Sequence, residues 1–259
     1  MAQRINDYRR YLDLSLLLVR RELKVKYRGS LLGYLWTMIN PLLFMAIISF
    51  VFSFIARGVP FYSLYVLSGI LFWNLTANSL NIGALSIVNN SVLLRKIRFP
   101  AWLFPLIPVL TFSTNFLLAL IPYSVIFIFR GPDHLPSLYY VLAVLPLFMI
   151  FLYGISLTLA SLNVFFRDVG HVVEPLLVMV MYATPIIYDR KSPHVPDKVK
   201  TLLGLNPFTR FVESGRDAIF VTTENALRGL PLLLVLSLGS LAVGITVYRL
   251  VHKRIIFAI

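Results

Sequence analysis

Glu213 and Asp217 stand four residues apart with Arg216 between them, so that two carboxylates and a guanidinium share one short stretch. Such a pair could act as general acid and base on a sugar. Ion pairing along a helix to Arg210 and Arg216 is the favoured alternative, because residues three and four apart meet on a helix surface. The other chemistry-bearing residues do not assemble. His134, His171, His194 and His252 are scattered, with no pair at metal-ligand spacing and no acidic cluster beside them. The absence of cysteine removes disulfides, thiolate metal sites and thiol nucleophiles. Serine is common without a nucleophile elbow, and no Walker pattern is present to cradle phosphates. The expectation is therefore no catalytic residue, no metal and no cofactor in this chain, so that any energy source for its work must come from another polypeptide.

Whatever those residues do, composition decides the medium in which they are held. The 259 residues are 58% hydrophobic and 14% charged, with a mean hydropathy of +0.81, against about 45–50% apolar and about 25% charged in soluble domains. Apolar runs of about 20 residues suit a hydrocarbon core of about 30 Å. Six are read: from about Leu31 to Ala56, Tyr62 to Gly83, Trp102 to Phe129, Leu138 to Leu162, Val172 to Tyr188 and Pro231 to Val251. The expected fold is an all-α integral membrane protein of six transmembrane helices, forming a single transmembrane domain over 1–259. The net charge of +13 is concentrated between the runs, where topology and anionic headgroups account for it, so nucleic acid is not an expected partner. Fifteen of the 24 Lys and Arg fall in the pieces that are cytoplasmic if both termini are inside, and the positive-inside rule then puts both ends in the cytoplasm. Glu174, beside Pro175, is the main ionisable group within a run and is read as suiting a helix N-terminus. Pro41, Pro105, Pro108, Pro122, Pro146 and Pro185 lie within runs, where neighbouring helices can satisfy the carbonyls they free.

Three segments are not spans. Over residues 1–30, Tyr8, Tyr11, Leu12, Leu16, Val19, Leu23 and Tyr27 recur at helical spacing while Arg9, Arg10, Asp13, Arg20, Arg21 and Lys24 fall largely elsewhere, which predicts an amphipathic interface helix. Residues 89–100 predict a short cytoplasmic helix ended by Pro100, whose apolar Leu93, Leu94, Ile97 and Phe99 suit a groove on another protein. Residues 189–230 are too polar to span; Phe208, Phe211, Val212, Gly215 and Ile219 repeat at helical spacing, predicting short outer re-entrant helices before the last span (231–251) and a cytoplasmic tail (252–259).

Particular stretches carry a family likeness. Residues 21–36, reading RELKVKYRGSLLGYLW, with Asn40 and Pro41, resemble the opening of ABC exporter permeases of the polysaccharide and polyol-phosphate class, which export O-antigen, capsule or teichoic acid chains. Arg95, Lys96, Ile97, Arg98, Phe99 and Pro100 look like that class's loop before the third span, and Asn163 to Asp168 like its next cytoplasmic turn. Thr184 to Tyr188, then Asn206 and Pro207, then Arg216, are similar to its fifth span and outer re-entrant segment. The resemblance implies a homodimer joined by two copies of a nucleotide-binding ATPase subunit, which would bind the ATP and Mg, exporting a lipid-linked glycan across a bacterial cytoplasmic (inner) membrane. It further implies an ATPase-coupling interface of Arg21, Glu22, Lys24, Arg95, Lys96, Arg98, Phe99, Arg167 and Asp168. Tyr34, Trp36, Tyr62, Tyr65, Phe72 and Trp73 become candidates for lining a channel, and Pro185, Tyr188, Asn206, Pro207 and Arg216 for an outer re-entrant gate. The alternative is a membrane-embedded glycosyl transferase or polymerase working through Glu213, Arg216 and Asp217.

Overall fold

The computed structural model describes residues 2–26, 28–52, 62–96, 99–130, 138–193, 195–220 and 223–258. Tyr27, Ile97, Arg98, His134, His194 and the last part of the expected first run lie outside the described residues, as do the side chains of Tyr8, Leu12, Lys96 and Ile219. Ten α-helices occur among the described residues: α1 (Ala2–Lys26), α2 (Trp36–Phe52), α3 (Tyr62–Asn89), α4 (Ser91–Lys96), α5 (Leu106–Arg130), α6 (Leu138–Asn163), α7 (Asp168–Tyr182), α8 (Asp197–Leu205), α9 (Pro207–Phe220) and α10 (Thr223–Ala258). No strand is present among them, as expected of an all-helical membrane protein.

Three helical stretches are long and apolar enough to cross a bilayer by length and composition: Ala101–Ile126, Tyr140–Asn163 and Arg228–Ile255. The others fall short for separate reasons. α3 is about 42 Å long at 1.5 Å per residue, but Asn74, Asn78 and Asn81 dilute its apolar character. α2 is apolar and is described over 17 residues. α7 has 15 residues, about 22 Å, because the chain leaves the helix after Tyr182 on its way to Pro185. Glu174 consequently lies nearly two turns inside α7, beyond the first turn where a helix dipole favours a carboxylate; Asp168 occupies that place instead.

The bundle is centred on α6, which packs along α10, and on α3, which packs on α5 and α6; α9 covers the junction of α3, α6 and α10. Its aromatic centre joins four helices: the Phe72 ring lies 5.0 Å from Phe116 and 5.7 Å from Phe148, and Phe211 lies 4.8 Å from Phe148 and 4.9 Å from Phe151. A second apolar cluster gathers at one end of the bundle, where Val19 of α1, Ile87 of α3, Phe99, Phe104, Ala160 of α6 and Ile255 of α10 meet. Close approach of α6 and α10 is possible because Gly154 and Gly244 face each other. There Ser237 Oγ donates to Leu147 O at 2.7 Å and Ser240 Oγ to Phe151 O at 2.8 Å, the small-residue contact with hydroxyl cross-links that joins helices in lipid, where apolar burial between them gains little.

Candidate functional site

Where α7 stops, its last carbonyls and those of the following turn lose their helical donors, and inside a packed bundle each must be satisfied. The sequence supplies side chains for this from distant elements. Tyr62 and Tyr65, one turn apart on α3, donate their hydroxyls to Ile187 O (2.9 Å) and Tyr188 O (3.0 Å). Arg216 of α9 donates from Nη1 to Pro185 O and from Nη2 to Ile186 O at 2.7 Å, while its Nε reaches Ser68 Oγ at 3.2 Å. Four consecutive carbonyls, 185 to 188, are thus held by three side chains. Asn206, at the junction of α8 and α9, donates to Ala183 O and Thr184 Oγ1, both at 3.0 Å, and Tyr188 Oη donates to Tyr182 O at 2.9 Å.

Arg216 is 4% exposed. Its guanidinium carbon sits 3.7 Å from the centroid of the Tyr65 ring, and among the described residues no carboxylate pairs with it. A planar fork of donors on a weakly hydrated cation suits this position, where carbonyl oxygens and an aromatic face replace a counter-ion. Room for it comes from Gly69, where a Cβ would overlap Nη2 of Arg216; on α9, the adjacent Gly215 likewise makes room for the Phe72 ring.

The neighbouring carboxylates do not pair along their helix as expected. Both oxygens of Glu213 are taken by Arg190, at 2.7 and 2.8 Å, and Asp217 is 3.3 Å from Lys191 Nζ. Hydrogen bonding to Glu213 holds the Arg190 guanidinium above its ordinary pKa. The partners lie about 25 residues upstream in the loop after Tyr188, so the pairs tie that loop to α9. With one carboxylate doubly bound and Arg216 enclosed, the trio has no open acid–base pair, which disfavours the glycosyl transferase alternative.

At the opposite end of α3, α1 lies against α5 and the second cluster. Tyr11 and Phe99 rings meet edge to face at 6.4 Å, and Phe99 is 5.0 Å from Phe104. Phe99 is therefore buried in its own chain, with Leu93 and Leu94 packed beside it, and the groove expected on another protein is provided by α1. Arg95, Val92, Arg167 and Asp168 are exposed at this end. On α1 itself, Val19, Ser15, Tyr11 and Leu23 face inward while Leu16 turns outward, and Arg20, Arg21, Lys24 and Arg28 edge an open basic groove.

A family model for ABC-2 type transporters matches residues 14–220. The chain belongs to the ABC-2 type transporter family. Among its relatives are O-antigen export system permease proteins RfbA: two from Klebsiella pneumoniae, one 34% identical over 218 residues covering 82% of each chain and one 33% identical over 210 residues covering 79% of each. A third, from Myxococcus xanthus, is 34% identical over 217 residues, 83% of each chain. The matched region of this ABC-2 chain includes the clasped turn, the basic end and everything between them, and stops before α10.

The aromatic residues of the ABC-2 chain divide by place. Tyr34 and Trp36 are exposed, Tyr62 and Tyr65 are engaged with the turn, and Phe72 (1% exposed) and Trp73 lie in the core of their own subunit. Pro185, Tyr188, Asn206 and Arg216 come together at the clasp, with Pro207 starting α9 beside them. Ser68, Gly69 and Arg190 belong to the same arrangement and were not legible beforehand, whereas Thr184 lies in the stretch that carries the family likeness. A helix ended by proline before four donor-less carbonyls was the one available signal that tyrosine and arginine donors had to arrive from elsewhere.

Glu22 of the ABC-2 chain gives a pH test. Burial pushes its carboxyl above the usual carboxylate range, outweighing the hydrogen bond from Thr111 Oγ1 (3.2 Å) and the nearby Arg21 charge. A raised folded-state pKa means the folded chain holds this proton more tightly than the unfolded chain. The stability Glu22 allows is thus fully present below its unfolded pKa and falls as pH rises through the folded value. Glu22→Gln should melt like the parent at about pH 4 and higher than the parent at about pH 8; thermal unfolding in detergent across that range checks it, and a lower melting temperature for the variant at the alkaline end refutes it.

Proposed function

We propose that this chain is the membrane-spanning subunit of an ATP-driven exporter for a lipid-linked polysaccharide in the bacterial cytoplasmic membrane, with six spans, both termini in the cytoplasm, and two copies assembling with two nucleotide-binding ATPase subunits. The observation that carries the reading is the family membership joined to relatives named as O-antigen export permeases over about four-fifths of the chain. The substrate enters from the inner leaflet, and ATP-driven closure of the partner subunits moves it through the protein; no bond is made or broken in this chain. The Ala183–Tyr188 turn with Pro207 and Arg216 acts as the outer gate. Coupling falls to the exposed groups of the basic end, Arg21, Lys24, Arg95, Arg167 and Asp168, with Lys96 and Arg98 of the same segment. Phe99 and Glu22 support that surface from beneath, so motion of α4 and its loop is transmitted to α1 through packed rings. Of the aromatic candidates, Tyr34 and Trp36 are the exposed ones, and the path runs past them.

Co-expression with an ATPase subunit should yield a complex that hydrolyses ATP, while the chain alone does not. Deleting the chain should remove surface polysaccharide and leave lipid-linked glycan inside the cell. Hydrolysis by the isolated chain, or unchanged surface polysaccharide after deletion, would overturn the proposal. Because the chain has no cysteine, topology can be read from single introduced ones: Arg10→Cys and Arg95→Cys should label from the same, cytoplasmic, face.

A further inference from the structure

α3 turns two different faces outward from its axis. One carries Phe72 and Leu75 into the aromatic core; the other carries Asn74, Asn78, Asn81, Leu85 and Asn89 in a single stripe, since steps of three and four residues return to the same side of a helix. Asn74 and Asn89 are exposed on that stripe. Amides directed at hydrocarbon are costly, and polar groups at membrane depth face a protein neighbour or a water-filled cavity. The structure provides the cavity. A cleft of about 250 Å³ between α2, α3 and α5 is bordered by Asn40, Asn74, Asn78 and Asn115, with the Trp36 indole at its edge. A second cleft of about 540 Å³ continues from it, sharing Asn78 and Phe112, and runs past Ser86 and Asn90 to Arg21 at the basic end.

The chemistry of the lining is two-handed, and uncharged except at the basic end, where the wider cleft reaches Arg21 and Glu22. Each amide offers both donors and an acceptor. Asn78 and Asn90 spend a donor on the backbone one turn earlier, at 2.7 and 2.8 Å, which fixes the amides and turns their remaining groups outward. The Oδ1 of Asn115 is buried in the cleft wall with no partner among the described residues. Amides from three helices, those of α3 held in orientation, beside an indole face, match sugar hydroxyls and the apolar faces of sugar rings. They do not match a phosphate, for which the narrower cleft holds no cation.

Resting on the export reading above, we propose that the glycan part of the substrate travels along this asparagine stripe of α3, from the Asn89–Asn90 end through Asn78 to the cleft at Asn74, Asn115 and Trp36. The lining of the path is thus amide rather than the aromatic side of α3, and its recognition is of hydroxyl-rich chains in general rather than of one sugar.

The cysteine-free chain makes the test direct. Asn78→Cys, and separately Asn74→Cys, are placed in the full chain with its ATPase subunit in cells, and treated with a small charged thiosulfonate. Val235→Cys on the outer face of α10, where Val235 is 67% exposed, serves as the lipid-side control. Because thiolates form in water and not in apolar surroundings, both stripe cysteines should react on the order of tenfold faster than the control. Their reaction should slow in cells making the polysaccharide relative to a strain lacking its first polymerising glycosyl transferase. Stripe cysteines as inert as Val235→Cys overturn the proposal, and so does fast reaction that is indifferent to the polysaccharide. If deleting the chain leaves surface polysaccharide intact, the export reading fails, whatever the cysteines do. If deletion removes it and the stripe cysteines are inert or unprotected, the groove alone fails.

Discussion

Replacing Arg216 by lysine is expected to loosen the Ala183–Tyr188 turn and to lower the stability of the solubilised chain, and replacing it by alanine to do so further. The guanidinium serves acceptors on two elements at once, Ser68 Oγ on α3 and the Pro185 and Ile186 carbonyls, while its face lies on Tyr65. A lysine ammonium is a compact, strongly hydrated charge that cannot present donors in a planar fork. It should forfeit at least one charge-assisted bond, about 1.5–3 kcal/mol. Alanine forfeits all three and strands two buried carbonyls, each at a cost of about 1–3 kcal/mol. Melting of the detergent-solubilised chain measures the order, and limited proteolysis after Tyr188 reports the turn itself. Gly69→Ala presses on the same guanidinium from the other side, so its effect and that of Arg216→Lys should be strongly non-additive, as neighbours sharing one network are. Additive effects, or an Arg216→Lys variant indistinguishable from the parent, would mean the turn is held by something else.

The second large effect concerns two glycines on helices that pack together. A methyl group at Gly154 would run into the backbone and hydroxyl of Ser240 on α10, whereas one at Gly239 meets nothing within 4 Å. Gly154→Ala must push α6 and α10 apart or displace the Ser240 bond to Phe151 O, and overpacking of this kind costs about 1–3 kcal/mol. Gly239→Ala should instead be neutral or stabilising by up to about 1 kcal/mol, because alanine loses less backbone entropy in a helix. The two variants differ only in their neighbours, so comparing their melting temperatures isolates the helix contact from helix propensity. Equal melting temperatures would show that the two helices do not rely on this approach.

Both effects sit where sequence reading is weakest. Period and composition foretell the medium, the amphipathic α1, the end of α4 ahead of Pro100 and the inward face of α9, where Phe208, Phe211, Val212 and Gly215 do turn to the bundle. They do so because each is a local matter of helical spacing or of a missing backbone donor. The same reading sorts α3 wrongly. Phe72 and Trp73, channel candidates through the family resemblance, fill the core, while Asn74 and Asn89 on the other side are exposed. In water an apolar face points inward; in a bilayer both the core and the lipid are apolar, so hydrophobic pattern no longer says which side is buried.

For this protein the chain alone determined that lipid is its main solvent, that its regular structure among the described residues is all helical, and that ATP phosphates find no P-loop in it, since those follow from side-chain transfer energies and motif absence that no folding can alter. Tertiary structure decided the partners: Phe99 with Tyr11, Glu213 with Arg190, and Arg216 with carbonyls some 30 residues before it and a tyrosine about 150 residues before it. A buried donor or charge takes whichever acceptor the packing of helices brings within about 3 Å, and that meeting is set by how glycines such as Gly69 and Gly154 let whole helices approach, which no local spacing records.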